Sequence, residues 1–142
     1  MLGVFEVLAY VYSTRNETLR ETPRHLSETE KTKLRMFLSD KTKGELTINS
    51  LAYVKDAKEY GDEIAAVFHD MGWTTRVSIV TTTGIDTSGM WITIHDPNFI
   101  PPAAMIIYFA FLEAQIPIRP VFTPDPNGPS QNGVWLSIGS KN

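Results

Sequence analysis

The chain has 142 residues, 42% hydrophobic and 20% charged, enough for one buried core and far from the composition of a disordered segment. It has no cysteine, which excludes thiol catalysis, thiolate metal sites and disulfides, and its net charge of -3 offers no basic field for nucleic acid. Residues 1–43 carry eight Lys/Arg against six Asp/Glu, and residues 44–142 carry five against ten. That split reads either as a solvated helix face or as a basic, membrane-proximal arm ahead of an acidic domain.

The opening MLGVFEVLAYVY has one charge, Glu6. It is shorter than the roughly 20 residues a membrane-spanning helix needs, and it lacks the basic start and small-residue cleavage site of a signal peptide. Leu2, Phe5, Leu8 and Tyr12 fall at helical spacing. The segment reads as a helix packed on its own domain, as an amphipathic or oligomer-forming helix, or as the tail of a membrane anchor. Residues 13–26 are polar and contain Pro23, so they read as a linker. An N-terminal apolar segment and linker, 1–26, is therefore expected ahead of a single α/β domain, 27–142.

Ser27-Glu28-Thr29-Glu30 has the form of a capping box, in which Ser27 and Glu30 each satisfy the other's backbone N–H. A helix should follow to about Ser39, with Leu34, Phe37 and Leu38 as its apolar stripe. ELTINS (45–50) reads as a strand. Asp56 is placed to cap a helix whose stripe is Tyr60, Ile64, Val67, Phe68 and Met71, and which stops at Gly72. TTRVSIVT (74–81) and MWITIH (90–95) read as strands. Pro101 and Pro102 open a helix to Gln115, with Asp96 or Asn98 as its cap. RPVFT and GVWLSIG close the chain as two more strands around a turn-rich connection.

The order is a helix followed by β-α-β-β-α-β-β. The connection from Thr82 to Gly89 is short for a parallel crossover, so the second and third strands are expected to form an antiparallel pair. That gives an α+β two-layer sandwich of split β-α-β, ferredoxin-like type, with a fifth strand at the edge. An open, mostly parallel α/β sheet is the alternative. In the split arrangement the third strand runs against the first, so Asp96 and Asn98 leave the sheet at the end opposite to Thr82.

No phosphate-binding G-x-x-x-x-G-K-[ST], dinucleotide G-x-G-x-x-G or G-x-S-x-G elbow occurs, and no cofactor is expected. His25, His69 and His95 lie in different elements without metal-ligand spacing, so no metal is expected either. Two polar stretches remain as ligand-binding candidates. TTTGIDTSG (81–89) offers Thr82, Thr83, Asp86 and Ser88, hydroxyl donors and open backbone N–H groups of the kind that hold an anion. Its other reading is a turn chosen for backbone geometry, and Arg76 and Arg119 stand on other strands. The second stretch is the strand end with His95, Asp96 and Asn98. Helix 101–115 is apolar around most of its circumference, with Glu113 as its one charge, and such a helix asks for cover on more than one side. The N-terminal helices, a second subunit or a membrane surface would supply it.

AKEYGDEIAAVFHDMGW, DPNFIPPAA before an apolar helix, and the closing LSIGSKN together resemble a family of uncharacterised bacterial domains, over about residues 27 to 142. The resemblance implies a domain that follows membrane-anchoring helices and a helical stalk. Here only the short apolar segment 1–12 stands in that place. These motifs are a cap, a proline-led helix start and a glycine-ended strand, so they carry no catalytic residues across. The expected function is a non-catalytic sensing or interaction module of unknown ligand that forms a homo-oligomer through its apolar helix, in the cytoplasm or at a membrane through residues 1–26. The alternative is a small enzyme using His95/Asp96 or Asp86 as an acid–base group.

Overall fold

The computed structural model describes residues 22–81 and 87–141. The apolar segment 1–12 and the candidates Thr82, Thr83 and Asp86 lie outside the described residues. Among the described residues, no helix is long and apolar enough to cross a membrane.

Helix α1 (Glu28–Leu38) starts on the expected capping box. The Glu30 N–H donates to Ser27 Oγ at 3.0 Å, and the Ser27 N–H donates to Glu30 Oε1 at 2.8 Å. Its Leu34 and Leu38 are buried, and Lys43 Nζ donates to the Leu38 carbonyl at the C-terminal end. Strand β1 (Glu45–Leu51) leads into α2 (Ala57–Asp70) and β2 (Thr74–Val80), and α2 stops where Gly72 turns to φ 91°. After β3 (Met90–Ile94) come α3 (Pro102–Glu113), β4 (Arg119–Phe122) and β5 (Trp135–Ile138). The elements follow the order read from the sequence.

The fold is α+β, with one mixed five-stranded sheet in the order β2-β1-β5-β3-β4. The β1–β2, β1–β5 and β3–β4 pairs are parallel, and β3–β5 is antiparallel. The antiparallel β2–β3 pair expected from the short connection does not form, because β1 and β5 lie between those strands. A short loop excludes a parallel crossover, but it does not require adjacency. Crossing from the first to the fourth strand position spans about 14 Å at normal strand spacing, which the residues between Val80 and Met90 bridge easily. The opposed direction of β3 was expected correctly; its neighbour was not. The fifth strand is likewise central rather than at an edge.

The three helices among the described residues share one layer. Phe68 of α2 and Phe111 of α3 stack at 6.1 Å between centroids, and Trp73 meets Phe68 edge-on at 5.3 Å. Ile48, Leu136 and Ile92, neighbours across β1, β5 and β3, point into this core with Ile64 and Ile107. Alternation therefore puts Asn49, Ser137 and Trp91 on the other face of the sheet. Residues 24–26, read from sequence as linker, belong to the packed body: Leu26 lies in the core cluster.

Candidate ligand-binding cleft

Asp56 sits at the N-cap of α2, but its side chain caps nothing. Its carboxylate instead accepts three bonds from Arg24: the backbone N–H at 2.7 Å, Nε at 2.9 Å and Nη2 at 2.8 Å. Nη2 also donates to the Gly139 carbonyl, at 2.6 Å, and the guanidinium lies over the Tyr60 ring at 5.2 Å. The Arg24 hydrogen bonds hold the Asp56 carboxyl below the usual carboxylate range, against partial burial. Burial, with the charge of Glu30 second, pushes the Tyr60 phenol up to about 12.

Arg119 opens β4 from the other side. Its guanidinium stacks over Trp91 at 4.9 Å, and Nη2 donates to the Ser88 carbonyl at 3.2 Å. Lys141, just past β5, donates from Nζ to the Thr22 carbonyl at 3.1 Å. The backbone here is drawn tight. The Gly139 N–H donates to the Gly89 carbonyl, the Ser140 N–H donates to the Thr87 carbonyl, and a side chain on Gly139 would fall on that same Thr87 carbonyl.

Between these groups lies a cleft of about 420 Å³, lined by Arg24, Tyr60, Arg119, Lys141, Ser88 and Gly89, with an apolar wall of Met90, Ile116, Pro117 and Ile118. It stands at the carboxyl ends of β1 and β5 and the amino ends of β3 and β4, where the sheet reverses polarity. Ligand sites of open α/β sheets gather at such ends. Among the described lining residues the charged side chains are three cations.

Of the candidates read from sequence, Ser88 lines this cleft, while His95, Asp96 and Asn98 stand at the other end of the sheet. His95 is half-buried, and its Nδ1 is enclosed without a hydrogen-bond partner. Asp96 Oδ1 accepts the Asn98 N–H at 2.8 Å, closing its own turn. Neither Asp96 nor Asn98 caps α3: the N-cap is Pro101, and no side chain bonds there. The Asp96 carboxylate is satisfied two residues on, before the chain reaches the helix. Among the described residues no group of His, Asp and Glu is arranged to hold a metal.

Sequence reading missed Arg24, Tyr60 and Lys141. Arg24 sat in an apparent linker and Tyr60 in a core stripe. Lys141 followed a strand end, which was the one signal pointing to this edge of the sheet.

A second feature lies on α3. Ala104, Ile107, Ala110 and Phe111 are buried, but Met105, Phe109 and Leu112 are 41%, 44% and 45% exposed, an i, i+4, i+7 stripe. Phe99 and Ile100 extend the exposed apolar surface ahead of the helix. Helix α1 packs against α3 and leaves this stripe uncovered.

No family model matches the chain, and no curated protein or solved structure shows detectable similarity to it.

Proposed function

We propose that the domain is a non-catalytic binding module that takes a small organic anion into the cleft between Arg24, Arg119 and Lys141. The observation that carries this reading is that Arg24, Arg119 and Lys141 line one cavity of about 420 Å³ beside an apolar wall, with Asp56 behind Arg24 balancing one of the three charges. Such a volume suits a small molecule, and like charges in a concave site focus the potential on an incoming anion. Both guanidiniums lie over aromatic rings, which limits the rotamer freedom lost when a planar fork meets a carboxylate or phosphate.

Titration calorimetry with phenyl phosphate and with benzoate, against neutral phenol, tests the reading and separates phosphate from carboxylate preference. Arg119→Gln should weaken the better anion about tenfold or more, since a charge-assisted bond contributes about 1.5–3 kcal/mol. Phenol binding as tightly as the two anions, or no binding at all, sinks the proposal.

The exposed α3 stripe supports a second reading, self-association through Met105, Phe109 and Leu112. In sedimentation velocity the full chain should sediment as a dimer or larger species, and Phe109→Glu should return it to monomer. A monomer at every concentration refutes self-association. Co-sedimentation with liposomes that Phe109→Glu abolishes would assign the stripe to a membrane instead.

A further inference from the structure

Two of the cleft's cations also hold the start of the described chain. Arg24 is part of that start, and Lys141 grips it through the Thr22 carbonyl. Resting on the anion-binding reading above, we infer that an anion in the cleft clamps residues 22–26 to the domain, so that ligand binding and docking of the N-terminal arm are linked.

The geometry supplies both halves of that linkage. Arg24 reaches Asp56 and Gly139 with its backbone N–H, Nε and Nη2, while Nη1 takes no part in those bonds. The strap therefore stays docked while Arg24 still has an edge to offer a ligand. Arg119 belongs to β4 and Lys141 follows β5, so neither travels with the strap. An anion bridging Arg24 to either one ties the strap to the sheet. When the strap lifts, the cleft loses Arg24, one of its three cations, and the site is dismantled.

What holds the strap otherwise is a short set of contacts. Leu26 is buried, its N–H donates to Glu63 Oε2 at 3.2 Å, and His25 Nδ1 lies 3.1 Å from Glu63 Oε1. The strap has one buried side chain, Leu26, so once its polar bonds release it opens locally, without global unfolding. A ligand that binds only the docked form must shift that opening by its own binding energy. Residues 1–21 join the described chain at this strap, so occupancy of the cleft sets how firmly their point of attachment is held. The molecule thereby gains an output for its binding site.

Amide hydrogen exchange on the full chain reads this directly. With phenyl phosphate at a hundred times its dissociation constant, the Arg24 and Leu26 amides should exchange about 100-fold more slowly. The Asn98 amide, held by Asp96 at the far end of the sheet, should not change. Binding without slowing at Arg24 and Leu26 overturns the clamp and leaves the anion site standing. No binding overturns both. Asp56→Asn adds an independent arm, since Asp56 anchors the strap but does not line the cleft. Removing its negative charge would by itself tighten an anion, whereas loosening the strap lowers the competent fraction and weakens binding. The clamp requires the affinity to fall several-fold, and a tighter complex refutes it.

Discussion

Asp56 stands where a helix is ordinarily capped, yet its carboxylate serves Arg24, thirty-two positions back along the chain. Both side chains are largely buried, at 15% and 11% exposure. Removing one partner leaves the other desolvated and unpaired, which costs about 2–3 kcal/mol for a pair that keeps some contact with water. Arg24→Ala and Asp56→Asn should each lower the unfolding free energy by about that amount in urea titration, and the double variant should lose far less than the sum. The pH dependence follows from the lowered Asp56 pKa. The pair's stabilisation is complete above about pH 4, the unfolded carboxyl value, and is lost as pH falls through the depressed folded value. The gap between wild type and Asp56→Asn should therefore be flat from pH 7 to about 4 and close below it. A gap that widens on acidification would contradict this assignment. The Ser27–Glu30 capping box was legible in the sequence because both partners lie within one turn. The Arg24–Asp56 pair was not, because nothing local marks two residues that only the fold brings together.

Among the elements, α2 depends on a missing side chain. A Cβ on Gly61 would lie 2.8 Å from Ser50 Oγ, 3.1 Å from Ile138 Cδ1 and 3.2 Å from Ile48 Cγ2, so these packed side chains must give way or the helix must lift from β1. Alanine in a helix gains about 1 kcal/mol over glycine, whereas overpacking a core costs about 1–3 kcal/mol. Gly61→Ala should therefore be destabilising in thermal melts, despite the better propensity. Ser50→Ala in the same chain should recover part of the loss, though it forfeits the bond from Ser50 Oγ to the Ala57 carbonyl. Equal melting of wild type and Gly61→Ala would show that α2 does not sit this close. Periodicity made the described elements other than α3 readable in order, because each of their apolar stripes had a phase. Helix α3 had none. Being apolar nearly all round, it announced a need for cover without saying which face met the core, and only packing selected Ala104, Ile107, Ala110 and Phe111.

At the scale of the molecule, the polarity of the strands was legible but their neighbours were not. Chain length limits which strands can be parallel neighbours, but it does not say which strands pair, and the last strand can enter anywhere. Here it enters at the centre, with β1 on one side and β3 on the other. That placement assembles the cleft: Arg119 comes from the β3–β4 unit, Arg24 is pinned to α2 of the other unit, and Lys141 follows the strand that joins them. Deleting residues 135–141 should abolish cooperative unfolding by circular dichroism, because two half-sheets would remain rather than a sheet short of one edge. A truncated chain that still melts cooperatively would show that β5 is dispensable.

During synthesis, β1-α2-β2 and β3-α3-β4 are both complete before β5 leaves the ribosome. Until it does, β1 and β3 each present an inner strand edge with unpaired backbone groups. Those edges fit one another on neighbouring nascent chains as readily as they fit β5, and such exposure is what makes slowly closing sheets aggregate. Soluble yield should therefore depend on a chaperone that shields open strand edges, more than the stability of the finished domain would indicate.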